Sequence, residues 1–221
     1  MSDRARRIRA RASGNTPEED VQELREALRS GVLDAHWVGL ASFVGDTSAR
    51  AALGGPDPNL EAWSRGLSAW GREVEVRAAF ALAKHLEPVW REANPERGEA
   101  MSTTLEAIQA WLTPRGQRSS RFAPLEDGDL RQELESAYHA ALSEALSGRR
   151  REERTGQLGP AGLSVLVAGR TALMAASEDD EAAHAVLLGS FQSAVMILGD
   201  SAVKDIVRNE LVPLAFEKAR L

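Results

Sequence analysis

From Pro58 to Trp90 the chain carries one continuous helical pattern, and its change of character half-way constrains whatever packs around it. Asp57 followed by Pro58 is a helix-start signature. The carboxylate accepts from free backbone amides of the first turn, and proline tolerates the first helical position because its missing N–H would be unpaired there. Leu60, Trp63, Leu67, Trp70 and Val74 follow at steps of three and four, which places them on one face. From Ala78 to Ala83 the sequence is apolar all round. A helix that begins amphipathic and then loses its polar face is entering a core. Arg72, Glu73, Glu75 and Arg77 mark the changeover, with Glu73 and Arg77 spaced to pair. Pro88 predicts a kink or restart just before Trp90, since proline lacks a donor and its ring crowds the preceding turn. The tryptophans of this stretch are expected in the core. Stacking on bases or sugars is the other use such side chains have.

The rest of the chain agrees with that pattern. Alanine, leucine, glutamate and arginine dominate and aromatic residues make up 5%, a composition that favours helix. The expected fold is all-α, an irregular bundle or array of about eight or nine helices around the central one. At 221 residues the chain is one large domain or two small ones. It has no cysteine, which excludes disulfides, thiolate metal sites and cysteine nucleophiles.

Residues 1–14 hold five arginines and one aspartate, a local charge of +4 within a net −6, and read as a flexible basic arm. The acidic balance of the remainder argues against nucleic acid as a partner. The N-terminal arginines are not followed by an apolar stretch of signal-peptide length, so a cytoplasmic location is expected. Ala182 to Gly199 contains no Asp, Glu, Lys or Arg, and Ala161 to Ala176 contains only Arg170. Both are read as buried helices, with no membrane contact expected, although the first reaches the lower edge of a span of ~20 residues.

Helix boundaries are marked throughout. Thr16-Pro17-Glu18-Glu19 is a capping box, Val21, Leu24 and Leu28 form the buried face behind it, and Gly31 closes the helix. A helix from Leu33 to Val44 stops at Gly45, and Asp46 caps another through Leu53. Pro95 opens one through Leu112. Thr113 to Pro124 is the longest interruption. It suggests an N-terminal subdomain over 15–114, a linker over 115–123 and a C-terminal subdomain over 124–221, packed as one compact unit. Asp127 or Asp129 starts the next helix, with Leu130, Leu134, Ala137, Tyr138, Ala141 and Ala145 buried and Gly148 ending it. Asp200-Ser201 caps the last, which Pro213 is expected to interrupt.

No phosphate-cradling glycine loop, dinucleotide fingerprint or nucleophile elbow is present. Glu181 and His184 have the spacing used in carboxylate-bridged di-iron bundles, but no second Glu-x-x-His accompanies them. Glu135 and His139 read as a surface pair, and His85 as a hydrogen-bonded boundary residue. No catalytic residue, metal ligand or cofactor is therefore assigned, and a non-enzymatic protein is expected.

The stretch most like a binding face is the helix after Pro124. Asp129, Glu133 and Glu144 lie beside its apolar stripe, Ala137 and Ala140 leave the backbone approachable, and Glu126 and Asp127 add charge at its start. Acids in a first turn are equally favoured by the helix dipole alone. Glu126, Asp127, Asp129 and Glu133 are the candidate partner-binding residues, facing a basic protein.

The succession Ala81-Leu82-Ala83-Lys84-His85-Leu86-Glu87-Pro88-Val89-Trp90, then Leu105-Glu106-Ala107-Ile108-Gln109-Ala110-Trp111-Leu112, resembles bacterial helical proteins described as immunity proteins. Leu40 to Gly54 is similar to N-terminal segments of their myxobacterial members. That group places Pro-Arg before the Ala-Ile step, where this chain has Thr103-Thr104. The resemblance implies an all-α protein that binds and occludes a protein partner. A structural role through homo-oligomerisation is the second expectation, with the two apolar helices as interface.

Overall fold

The computed structural model describes residues 16–54, 59–96, 98–113, 127–149, 158–177 and 179–220. Among them are ten α-helices, one 3₁₀ turn and no strand, so the fold is all-α as expected. The chain forms two compact units, Met1–Trp63 with Val207–Leu221, and Ser64–Ile206. The second unit draws on both sides of the 115–123 stretch, which lies outside the described residues, as does the basic arm.

The first unit contains α1 (Pro17–Arg29), α2 (Ala35–Phe43), α3 (Thr47–Leu53), the start of α4 (Leu60–Gly66) and the later part of α10 (Asp200–Lys218). The capping box is made as expected: Glu19 N–H donates to Thr16 Oγ1 at 3.3 Å, and Thr16 N–H donates to the Glu19 carboxylate at 2.7 Å. Gly31, Gly45 and Gly54 end the first three helices with positive φ. Asp34 and Asp46 cap α2 and α3 by accepting from His36 and Ala49 N–H at 2.8 Å each. Arg25 donates to the Ala51 carbonyl at 2.7 Å, tying α1 to α3. Asp34 N–H donates to the Ala219 carbonyl at 2.8 Å, and Arg208 Nε to the Val44 carbonyl at 3.2 Å. The unit is thus closed by residues far apart in sequence.

The stretch from Pro58 to Trp90 is not one helix but three pieces: α4, a 3₁₀ turn over Leu67–Trp70, and α5 (Arg72–Ala93). Gly71 makes the break at φ 85° and ψ 170°, a conformation essentially confined to glycine. Asn59 caps α4, accepting from Ala62 N–H at 2.8 Å; Asp57 and Pro58, expected in that role, lie outside the described residues. Trp63, Leu67 and Val74 are nevertheless fully buried, because apolar spacing survives the change of helix type.

Pro88 and Pro213 both stand inside continuous helices, so Pro88 does not restart its helix and Pro213 does not interrupt its own as expected. Each is exposed. The carbonyl left without a partner four residues earlier lies on the same outer face, where water can bond to it, and a solvent-side proline bends a helix without ending it. Gly148 likewise falls within its helix, and α6 opens at Gly98 rather than Pro95.

The second unit comprises the 3₁₀ turn, α5, α6 (Gly98–Leu112), α7 (Asp127–Arg149), α8 (Pro160–Ala176), α9 (Asp180–Leu198) and the start of α10. Helix α8 is its hub, packed against α5, α6, α7 and α9. A Cβ on Gly169 would lie 2.7 Å from Ala141 Cβ, and one on Gly162 would lie 3.7 Å from the Ala145 carbonyl oxygen. As α8 is followed backwards α7 runs forwards, so the two are antiparallel and approach along small residues. Arg170 leaves this core by its edge: Nη1 donates to the Gly189 carbonyl at 2.8 Å and to Ser193 Oγ at 2.9 Å.

The two apolar helices differ. Helix α8 is buried on nearly every side, as expected. Helix α9 is buried along one side only, through Ala183, Leu187, Ser190, Phe191, Ser193 and Ala194, while Ala182, Ala185 and Gln192 are exposed and Met196 is 71% exposed. By length and composition α9 is apolar enough to cross a membrane, a test that core helices also pass.

Phe80 is 6% exposed in α5. Phe80→Ala should cost ~3–5 kcal/mol in denaturant titration, and a loss below ~1 kcal/mol would show that the site collapses or is not core. Gly71→Ala should cost about 1–3 kcal/mol, because alanine must adopt a glycine conformation. Gly39→Ala, inside α2 with open space where the Cβ would go, should instead gain about 0.4–1 kcal/mol.

Candidate functional site

The acidic face lies on α7. Asp127 is the first residue of that helix, and Glu126 and the Asp127 side chain lie outside the described residues. Asp129 is exposed, and Glu133, one turn on, is half-buried beside the buried stripe of Leu130, Leu134, Ala137, Ala141 and Ala145. Burial pushes the Glu133 carboxyl above its ordinary range, and the charge of Glu106 on α6 pushes it further in the same direction. Acids from two adjacent helices therefore share one surface. Glu106 was not among the expected residues: α6 and α7 are separated by the long interruption, and only tertiary packing reveals the juxtaposition.

Expected local pairs are partly rearranged. Glu73 accepts from Arg77 Nε at 3.1 Å, as the spacing predicts. Glu135 accepts instead from Arg131 at 2.9 Å, and His139 is exposed beside Tyr138. His85 is also exposed rather than at a boundary, because its position faces away from the Leu82–Leu86 side of α5. Glu181 is exposed, and His184 turns away from it toward α5.

That turn joins α9 to α5 through a nearly enclosed carboxylate. Glu75 is 2% exposed, and its Oε1 lies 2.7 Å from His184 Nδ1. Glu75 stands one turn before Ala78, Ala79, Leu82 and Leu86, in the register of the buried face, and His184 follows the buried Ala183 on α9. A carboxylate and an imidazole at core spacing on two helices were a readable signal, hidden among the four charges at the start of α5.

Arg72 completes the corner by binding the Asp180 carboxylate and the Ser177 carbonyl, at the N-terminal end of α9. Burial raises the Glu75 carboxyl above its usual range; the hydrogen bond and charge of His184 oppose this, Asp180 adds to it and Arg72 lowers it. Among the described residues no group of three or more His, Asp or Glu converges in the manner of a metal site.

Comparison with family models, with curated proteins and with solved structures returns no match.

His184→Ala would leave the Glu75 carboxylate buried with its hydrogen-bond partner removed. It should destabilise by about 1–3 kcal/mol. Glu75→Leu with His184→Ala should recover part of that loss, since an apolar pair leaves no buried group unpaired. Chemical denaturation of the single and double variants checks both.

Proposed function

We propose that this chain is a non-enzymatic binding protein that occludes a basic surface on a protein partner, in the manner of the immunity proteins its sequence resembles. The observation that carries this reading is the meeting of Glu133 on α7 with Glu106 on α6, with the exposed Asp129 one turn before Glu133 on the same helix. Like charges held on one surface raise each other's energy, and a cationic partner relieves that repulsion. Exposed charges also steer encounter, an effect screened over ~8–10 Å at ordinary salt.

The test uses the product of the gene adjacent to this one as the binding probe. The double variant Asp129→Lys with Glu133→Lys should associate at least ~tenfold more slowly than wild type at low salt, and the difference should shrink as salt rises. Its melting temperature should not fall, because lysine at 133 meets Glu106 with opposite charge. Equal association rates for both proteins at both salt concentrations would remove this face from consideration, and a large loss of stability would show that the acids serve as helix caps.

Homo-oligomerisation is the second reading, favoured by the exposed line of Ala182, Ala185, Gln192 and Met196 on α9. A mass that rises with concentration, and that Met196→Glu returns to the monomer value, is its signature.

A further inference from the structure

Every charged group that acts on Glu75 lies in one corner of the second unit: Arg72 on its own helix, and Asp180 and His184 on α9. The 3₁₀ turn, α6 and α8, which also pack on α5, send no charge to it. We propose that this corner is a proton-operated clasp: a proton shared between Glu75 Oε1 and His184 Nδ1 holds the first half of α9 on α5, and its loss as pH rises loosens that half of the helix.

Proton counting supports the direction. With one proton shared, the pair is neutral overall or a compensated ion pair, and no net charge is buried. When that proton leaves, the carboxylate keeps one N–H donor, but the pair carries −1 in a site where Glu75 is almost wholly enclosed. Arg72 attracts the new charge in part, but both its Nη groups are bound to Ser177 and Asp180, and Asp180 repels that charge. A carboxyl raised above its unfolded value contributes stability that is complete below that value and lost as pH rises through the folded one. The raised Glu75 group therefore agrees in sign with loosening as pH rises. The proton has a route out, since the His184 side chain is 23% exposed.

The loss should fall on α9 rather than on α5. From Asp180 to Gly189 only Ala183 and Leu187 are buried on α9, whereas α5 buries ten residues. Segments with few buried apolar contacts open locally at little cost.

The experiment follows amide-exchange protection factors of Ala183 to Leu188 from about pH 4 to about pH 9. One released proton allows at most a ~tenfold fall per pH unit. Wild-type protection should fall in that range while Val167 in α8 stays constant. Glu75→Gln, neutral at every pH and still able to accept from the imidazole, should remove the fall. Asp180→Asn, which breaks the neighbouring ion pair only, should keep it. A flat wild-type profile, or a parallel fall in Glu75→Gln, overturns the clasp. Should Glu75→Gln not fold, carbon-13 titration of the wild-type Glu75 carboxyl and His184 ring decides: a common midpoint supports a shared proton, and separate midpoints overturn it.

Discussion

Helix α8 can be enclosed by four other helices because Arg170 is the one charged side chain in its sequence and because its glycines face small residues on α7. A helix satisfies its own backbone donors and acceptors except at its ends, so enclosing it costs little once the side chains are apolar. The single exception is resolved at the edge, where Arg170 hooks the Gly189 carbonyl and Ser193 hydroxyl. Burial holds its guanidinium below its ordinary pKa, the sign of a cation partly withdrawn from water. The neighbours are shaped by this demand. Helix α7 gives up side-chain volume at Ala141 and Ala145, and α5 offers its all-round apolar segment.

The carboxylates of this unit form a graded series, set by how far each is withdrawn from water. Asp129 stands in solvent, Glu133 is half-withdrawn beside a like charge, and Glu75 is enclosed and held by an imidazole. The outer end of the series suits a diffusing cation, where long-range attraction acts and a bound state is easily reversed. The inner end suits a proton, the smallest charge able to enter a packed interior. Under the two proposals the carboxyl group serves two tasks, and depth separates them.

Much of this was legible in the sequence where the signal is local. Thr16 with Glu19, and Asp46, cap as their spacing implies, and Leu130, Leu134, Ala137, Ala141 and Ala145 are buried where period 3.6 places them, while Tyr138 of the same stripe is only half-buried; Asp34, expected inside its helix, caps it instead. The failures come from competing local signals or from tertiary partners. Gly71 sits inside an unbroken apolar rhythm, so nothing in the rhythm warns of a positive φ. Pro88 and Pro213 are read as breaks because a sequence does not say which face of a helix meets water. Glu75 is one of four charges within six residues, and only the arrival of His184 decides which of them turns inward. Of the candidate acidic face, Asp129 and Glu133 were legible from helical spacing, and Glu106 was not.

The first unit is assembled from residues 16–63 and from residues 207–220, and the Asp34–Ala219 and Arg208–Val44 hydrogen bonds span that gap. During synthesis α1, α2 and α3 leave the ribosome well before the part of the chain that bonds to Asp34 and Val44, at the two ends of α2, has been translated. The second unit is contiguous in sequence and meets no such delay. The nascent chain therefore completes its inner segment first, while its earlier helices wait with apolar surface uncovered. For that interval the early helices are the part of the molecule most exposed to chaperones and proteases.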